Sequence, residues 1–171
     1  MTLAARSAPA GAHAFAFEGL GGQPLPLAQF AGKAVLVVNT ASKCGYTPQY
    51  ADLEKLWQAY RDKGLVVLGV PSNDFGQQEP GSNLEIGEFC SVVYRATFPM
   101  AAKVSVTGPQ AHPFYAWAGQ QAGFVGQPCW NFHKYLIGRD GQFLDWFSTV
   151  TVPTSSKIIR AVEAHLNEGA A

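Results

Sequence analysis

Charge is scarce in this 171-residue chain: 12 Lys and Arg balance 12 Asp and Glu, for a formal net charge of zero. Without a basic excess there is no electrostatic grip on nucleic acid or anionic lipid, and both are set aside as partners. Long apolar runs are missing too, and none approaches the roughly 20 residues that span a bilayer. The opening stretch MTLAARSAPAGA lacks the apolar core of a secretory signal, so residues 1–12 read as a flexible tail. A cytoplasmic location is the resulting expectation. Cysteine is nearly absent. Cys44, Cys90 and Cys129 are too few and too far apart for a disulfide scaffold. With four histidines and no Cys-x-x-Cys pair, they also argue against a structural metal site. No repeat or low-complexity linker divides the chain, so residues 13–171 read as one domain with a core of its own.

What is present is a regular alternation of strand and helix patterns. AFAF and LPL flank the turn signal GLGGQ, which predicts an N-terminal β-hairpin. AVLVVNT (34–40) is apolar almost throughout, the pattern of a strand buried on both faces. Leu53, Leu56, Trp57 and Tyr60 follow at helical spacing and predict a helix over 48–62, closed by Gly64. LVVLGV (65–70) is a second buried strand, completing a parallel βαβ unit. Ser82 and Glu85 form a capping-box pattern ahead of a second helix. AHPFYAWAGQQAG predicts a third, with proline near its start and Gly123 past its end. FHKYLIG and QFLDWF, joined by RDG, predict a hairpin, and a last helix from about Pro153 buries Ile158, Ile159, Val162 and Leu166. The order predicts an α/β, thioredoxin-like fold: a central mixed sheet flanked by helices, with the N-terminal hairpin attached.

Cys44 stands between the end of the first central strand and the start of the helix after it. Open α/β sheets bind ligands at the carboxyl ends of their strands. Thr47 is the expected N-cap and Pro48 the first helical residue, so the positive end of the helix begins within a turn of the sulfur and favours a thiolate. Ser42, Lys43, Gly45 and Thr47 make the surrounding loop polar, a poor setting for a cysteine that only packs. Three residues on, the chain has Thr47 and not a second cysteine, which excludes a Cys-x-x-Cys exchange pair.

Three stretches, NTASKCGYTPQY (39–50), FGQQEPGS (75–82) and WNFHKYLIGRDG (130–141), resemble the signature segments of the glutathione peroxidase family, in order and correctly spaced. AVLVVNTAS, GLVVLGVPSNDFG, TFPMAAKVSVTG and AHPFY extend the likeness from about residue 14 to the last helix. The resemblance implies a cysteine-type peroxidase that reduces hydrogen peroxide and organic or lipid hydroperoxides with thiol electrons, without metal or prosthetic group. It implies a catalytic tetrad of Cys44, Gln78, Trp130 and Asn131, with Cys44 as the peroxidatic position. The chemistry suits those residues: a thiolate splits the O–O bond, and uncharged N–H donors meet the charge that moves onto oxygen. Trp130 and Asn131 are consecutive, and a regular strand would point them to opposite faces, so the backbone there must be irregular if both serve one site.

The cycle needs a thiol to condense with the sulfenic acid left on Cys44. The resemblance leaves glutathione or reduced thioredoxin as co-substrate, and Cys90 in the second helix or Cys129 beside Trp130 as possible resolving cysteines. Cys90 also reads as a packing residue. Lys43, Arg95, Lys134 and Arg139 are the cations available to hold the carboxylates of glutathione. The short segment from Ala118 to Gln127 lacks the insertion that tetramers of the family use, which favours a monomer. A peroxiredoxin motif would place a threonine three residues before the cysteine, whereas Thr40 is four before Cys44. A copper-delivery module would need a second cysteine where Pro48 stands. The alternative reading is a peroxide sensor that relays a disulfide to a partner protein.

Overall fold

The computed structural model describes residues 11–167. An antiparallel hairpin of β1 (Ala16–Glu18) and β2 (Pro24–Pro26) opens the domain. There follow β3 (Ala34–Thr40), α1 (Gln49–Tyr60), β4 (Leu65–Pro71), α2 (Asn83–Val93), α3 (Pro113–Ala122), β5 (Lys134–Ile137), β6 (Phe143–Phe147) and α4 (Ser156–Asn167). Residues 1–10 of the expected tail lie outside the described residues. Gly11–Ala14 form a 3-10 turn in which Ala12 is buried and donates its N–H to the Gly141 carbonyl at 2.8 Å, so packing begins ahead of His13.

The main sheet has the order β4-β3-β5-β6, with β3 and β4 parallel and the other neighbours antiparallel. β3 and β4 are buried at every position because both faces of the sheet are covered. Side chains alternate accordingly. Leu36, Val38, Val67 and Leu136 pack against α1, α2 and α4, while Val35, Val37, Leu68 and Tyr135 pack against α3 and the hairpin. This is the thioredoxin-like α/β arrangement that the element order predicts. Residues 99–101 cover the free edge of β4: the Gly69 N–H donates to Pro99 at 3.0 Å and the Ala101 N–H to Gly69 at 2.8 Å. A Cβ at position 69 would lie 2.3 Å from the Met100 sulfur, so any larger residue there requires the Met100 side chain to move.

The capping box of α2 forms as its sequence predicts, with Ser82 Oγ accepting the Glu85 N–H and the Glu85 carboxylate accepting the Ser82 N–H. α3 starts at Pro113 with the His112 ring as its cap, and Gly123 follows with φ 78°. α4 begins at Ser156, later than Pro153, and buries Ile158, Val162 and Leu166, while Ile159 is half-buried. The start of α1 differs in a way that matters. Pro48 occupies the N-cap position without a side-chain cap, and Thr47 does not cap the helix. Its hydroxyl has two partners inside the preceding loop, the Cys44 N–H at 2.9 Å and the Ala41 carbonyl at 2.9 Å, and these outcompete capping.

Candidate active site

Cys44 sits at the carboxyl end of β3 in the bend leading to α1, and is 9% exposed. Thr47 ties the bend closed. Besides its two hydroxyl contacts, its N–H donates to the Cys44 carbonyl at 3.1 Å. The sulfur accepts the Tyr46 N–H at 3.4 Å, a backbone donor from the turn that enters α1.

The loop after β4 is wired to this bend. The Lys43 N–H donates to the Gln78 carbonyl at 3.1 Å, so Gln78 is held one residue from the cysteine. Gly76 and Gln77 both have positive φ, 64° and 52°, which turns the loop back on itself. Gln78 Oε1 accepts an amide proton from Asn131 Nδ2 at 2.9 Å, leaving the Gln78 NH2 on the other side of the amide as a free donor. A Cβ at Gly76 would lie 3.0 Å from the Trp130 ring, so that indole packs directly over the loop. Phe75 flanks it, with ring centroids 6.1 Å apart.

The irregularity required at Trp130 and Asn131 is present. Neither residue belongs to β5, which starts at Lys134, and Phe132 has φ 65°. The Asn39 side chain pins the Trp130 carbonyl at 3.0 Å, while the Asn39 carbonyl accepts the Phe132 N–H at 2.6 Å. Thr149, just after β6, donates its hydroxyl to the Asn131 carbonyl at 2.7 Å. The Thr149 carbonyl in turn accepts from Gln49 Nε2 at 2.8 Å and from Lys134 Nζ at 3.2 Å.

Lys134 is fully buried, so it is not a surface cation at the mouth of the site. Burial lowers its amine to about 7, against a smaller opposing pull from Asp52. Arg139 is likewise withdrawn, donating to the Leu166 carbonyl at 2.9 Å beyond the far end of β5. Lys43 and Arg95 are the two exposed members of that group, and Lys43 is the one beside Cys44.

Cys90 lies on the inner face of α2, buried against the same apolar cluster that Cys44 borders. Burial pushes its thiol up to about 11, with Tyr50 lowering it and the Glu79 carboxylate raising it by smaller amounts. Cys129 is exposed, and all three cysteines are free. A cavity of about 430 Å³ opens beside the Cys44 bend, lined by Ser42, Lys43, Glu79, Ile86 and Phe89 among others. Among the described residues, no group of three or more His, Cys, Asp or Glu is placed to hold a metal, and no helix is long and apolar enough to cross a membrane.

The glutathione peroxidase family model matches residues 12–119, which include the Cys44 bend, the Gln78 loop and α2. The chain belongs to the glutathione peroxidase family. A glutathione peroxidase-like peroxiredoxin of Schizosaccharomyces pombe is 48% identical over 134 residues, covering 77% of this chain and 85% of the relative. A hydroperoxy fatty acid reductase of Synechocystis is 43% identical over 149 residues, covering 82% and 88%. A thioredoxin-family thiol:disulfide interchange protein from Chlorobium tepidum superposes with a TM-score of 0.68 at 16% identity, over 96% of this chain and 99% of that one, and shares the fold alone. As a member of this family the chain is a peroxidase, an oxidoreductase. The Trp130 and Asn131 carbonyls are held by Asn39 and Thr149, and the Thr149 carbonyl by Gln49 and Lys134, a supporting role that the sequence reading gave to none of the four. Two carried a signal, because a polar Asn39 in an apolar strand and a lysine opening KYLI are both anomalous. Gln49 and Thr149 carried none.

Proposed function

We propose that this peroxidase reduces hydrogen peroxide and organic hydroperoxides at Cys44, with Gln78, Trp130 and Asn131 as its uncharged donors. One observation carries the reading. The Cys44 bend, hydrogen-bonded through Lys43 to the Gln78 backbone, adjoins a loop where Gln78 is held by Asn131 and overlain by Trp130. The thiolate attacks one peroxide oxygen, forming an S–O bond as the O–O bond breaks. Sulfur is oxidised to sulfenic acid, and the departing oxygen leaves with the electron pair as alkoxide or hydroxide and is protonated. The Tyr46 N–H steadies the sulfur before attack, and the Gln78 amide and Trp130 indole offer protons to the oxygen that gains charge. Asn131 holds Gln78 in the orientation that makes its NH2 available.

A thiol then condenses with the sulfenic acid, expelling water, and a second thiol releases Cys44 by exchange. With Cys90 buried and its thiol raised, that helix must loosen before Cys90 can act, whereas Cys129 is already reachable. The reductant is glutathione or reduced thioredoxin, and the reaction as drawn needs no prosthetic group. The name of the Synechocystis relative supports extending the substrates to fatty acid hydroperoxides, and such an enzyme serves defence against oxidative stress. Coupled assays following NADPH, with either glutathione and its reductase or thioredoxin and its reductase, test this. Turnover with at least one couple that disappears in Cys44→Ser is the expected result. A protein that consumes peroxide but turns over with neither couple would favour the relay reading, and an inert wild type would contradict both.

A further inference from the structure

We propose that Lys134 and Thr149 are positioning residues for Asn131, forming a buried strut that sets the height of the amide holding Gln78. The inference rests on the function proposed above and concerns residues that the family signature chemistry leaves unused. The backbone of Trp130 and Asn131 is clamped from two sides. Asn39 of β3 holds the Trp130 carbonyl at 3.0 Å, and Thr149 holds the Asn131 carbonyl at 2.7 Å. The Thr149 side is itself braced, because its own carbonyl accepts from Gln49 Nε2 at 2.8 Å and Lys134 Nζ at 3.2 Å, with Ser148 taking a further Lys134 contact at 3.4 Å. Gln49 is the first residue of α1, so the brace joins β5, the segment after β6 and the start of the helix that follows Cys44.

An amine at this depth is unfavourable unless its donors are met. A fold that needed only volume at this position would be served by methionine, which fills similar space without desolvating a cation. What the amine adds is direction: its contacts fix carbonyls 148 and 149 and so aim the Thr149 hydroxyl at Asn131. Active-site groups tolerate little displacement, and an ångström of drift costs rate without removing any reacting atom.

The test uses reduced full-length protein and two readouts: the second-order rate with hydrogen peroxide by stopped-flow tryptophan fluorescence, and the alkylation rate of Cys44 with iodoacetamide. Thr149→Val and Lys134→Met should each slow the peroxide reaction about tenfold, on the scale of a small misplacement. Thr149→Ser, which keeps the hydroxyl, should restore it. Alkylation of Cys44, which needs no donor amide, should be unchanged in all three. In an Asn131→Ala background, Thr149→Val and Lys134→Met should bring no further loss. Wild-type peroxide rates in both variants, losses that multiply with that of Asn131→Ala, or a parallel fall in alkylation would each overturn the strut. If Lys134→Met does not fold, the Thr149→Val and Thr149→Ser comparison decides alone. Failure of the function reading is distinct: it shows as an inert wild type, before any substitution is made.

Discussion

At the scale of single residues, the proposed site divides into a nucleophile, its donors and a buried thiol. Cys44 and Gln78 are a short hydrogen-bonded path apart, and the donors beside them are all uncharged, so their donor capacity does not vary across neutral pH. Replacing Gln78 by alanine or Trp130 by phenylalanine should therefore slow peroxide consumption by about 10²–10³-fold, the usual loss when an oriented donor is removed, with the pH profile preserved. Stopped-flow rates measure this, and wild-type rates would remove both residues from the mechanism. Cys90 is the buried thiol. Its burial and its thiol raised to about 11 predict that iodoacetamide at pH 8 modifies Cys129 in the folded Cys44→Ser protein and reaches Cys90 only after unfolding. Peptide mapping showing equal labelling would mean that α2 opens readily. Which residues could be read from sequence follows the same division. The three signature segments pointed to Cys44, Gln78, Trp130 and Asn131, whereas Lys134 read as a surface cation because a lysine opening KYLI is a local anomaly that does not by itself say where the amine goes.

At the scale of elements, strands and caps were legible and the joints between them were not. β3 and β4 announce themselves as apolar runs and the start of α2 as a capping box, because the signals for each lie within a few residues. The contacts that organise the site run between distant segments, such as Asn39 with Trp130 and Gln49 with Thr149, and leave no periodicity to detect. Thr47 illustrates the local limit: it has the chemistry of an N-cap, but its hydroxyl closes the Cys44 bend instead. Thr47→Val leaves the buried Cys44 N–H and Ala41 carbonyl without that partner, and should destabilise the protein by about 1–3 kcal/mol in urea unfolding. An unchanged midpoint and slope would show that the bend does not depend on the hydroxyl. Gly76→Ala should also lower peroxidase activity, since it adds a methyl group 3.0 Å from the Trp130 ring at a residue with φ 64°.

At the scale of the whole molecule, the sandwich buries two ionisable groups next to the Trp130–Phe132 segment and disfavours their charged forms, and this links stability to pH. His133 is buried against Trp146, donates its Nε2–H to the Gly126 carbonyl at 2.8 Å, and is lowered to about 4, mainly by burial. Its unfolded value near 6.5 is higher, so the unfolded chain binds the extra proton and this contribution is lost as pH falls from about 6.5 towards 4. Lys134, lowered to about 7 from an unfolded value near 10.4, has the same sign in a higher window: the folded state gains stability as pH rises above about 7. Cys90, raised to about 11, opposes this above the ordinary thiol range, so the clean interval is pH 7–8.5. The unfolding free energy of wild type minus that of Lys134→Met should rise there by up to about 1.4 kcal/mol per pH unit, and a flat difference would place the lysine in water. The central claim concerns the fate of one sulfur, and one measurement meets it directly. Reduced protein treated with a single equivalent of hydrogen peroxide in the presence of a dimedone-type trap, then digested and mapped by mass spectrometry, should carry the sulfenic adduct on Cys44 within seconds. An adduct confined to Cys129, or none at any cysteine while peroxide persists, would contradict the account.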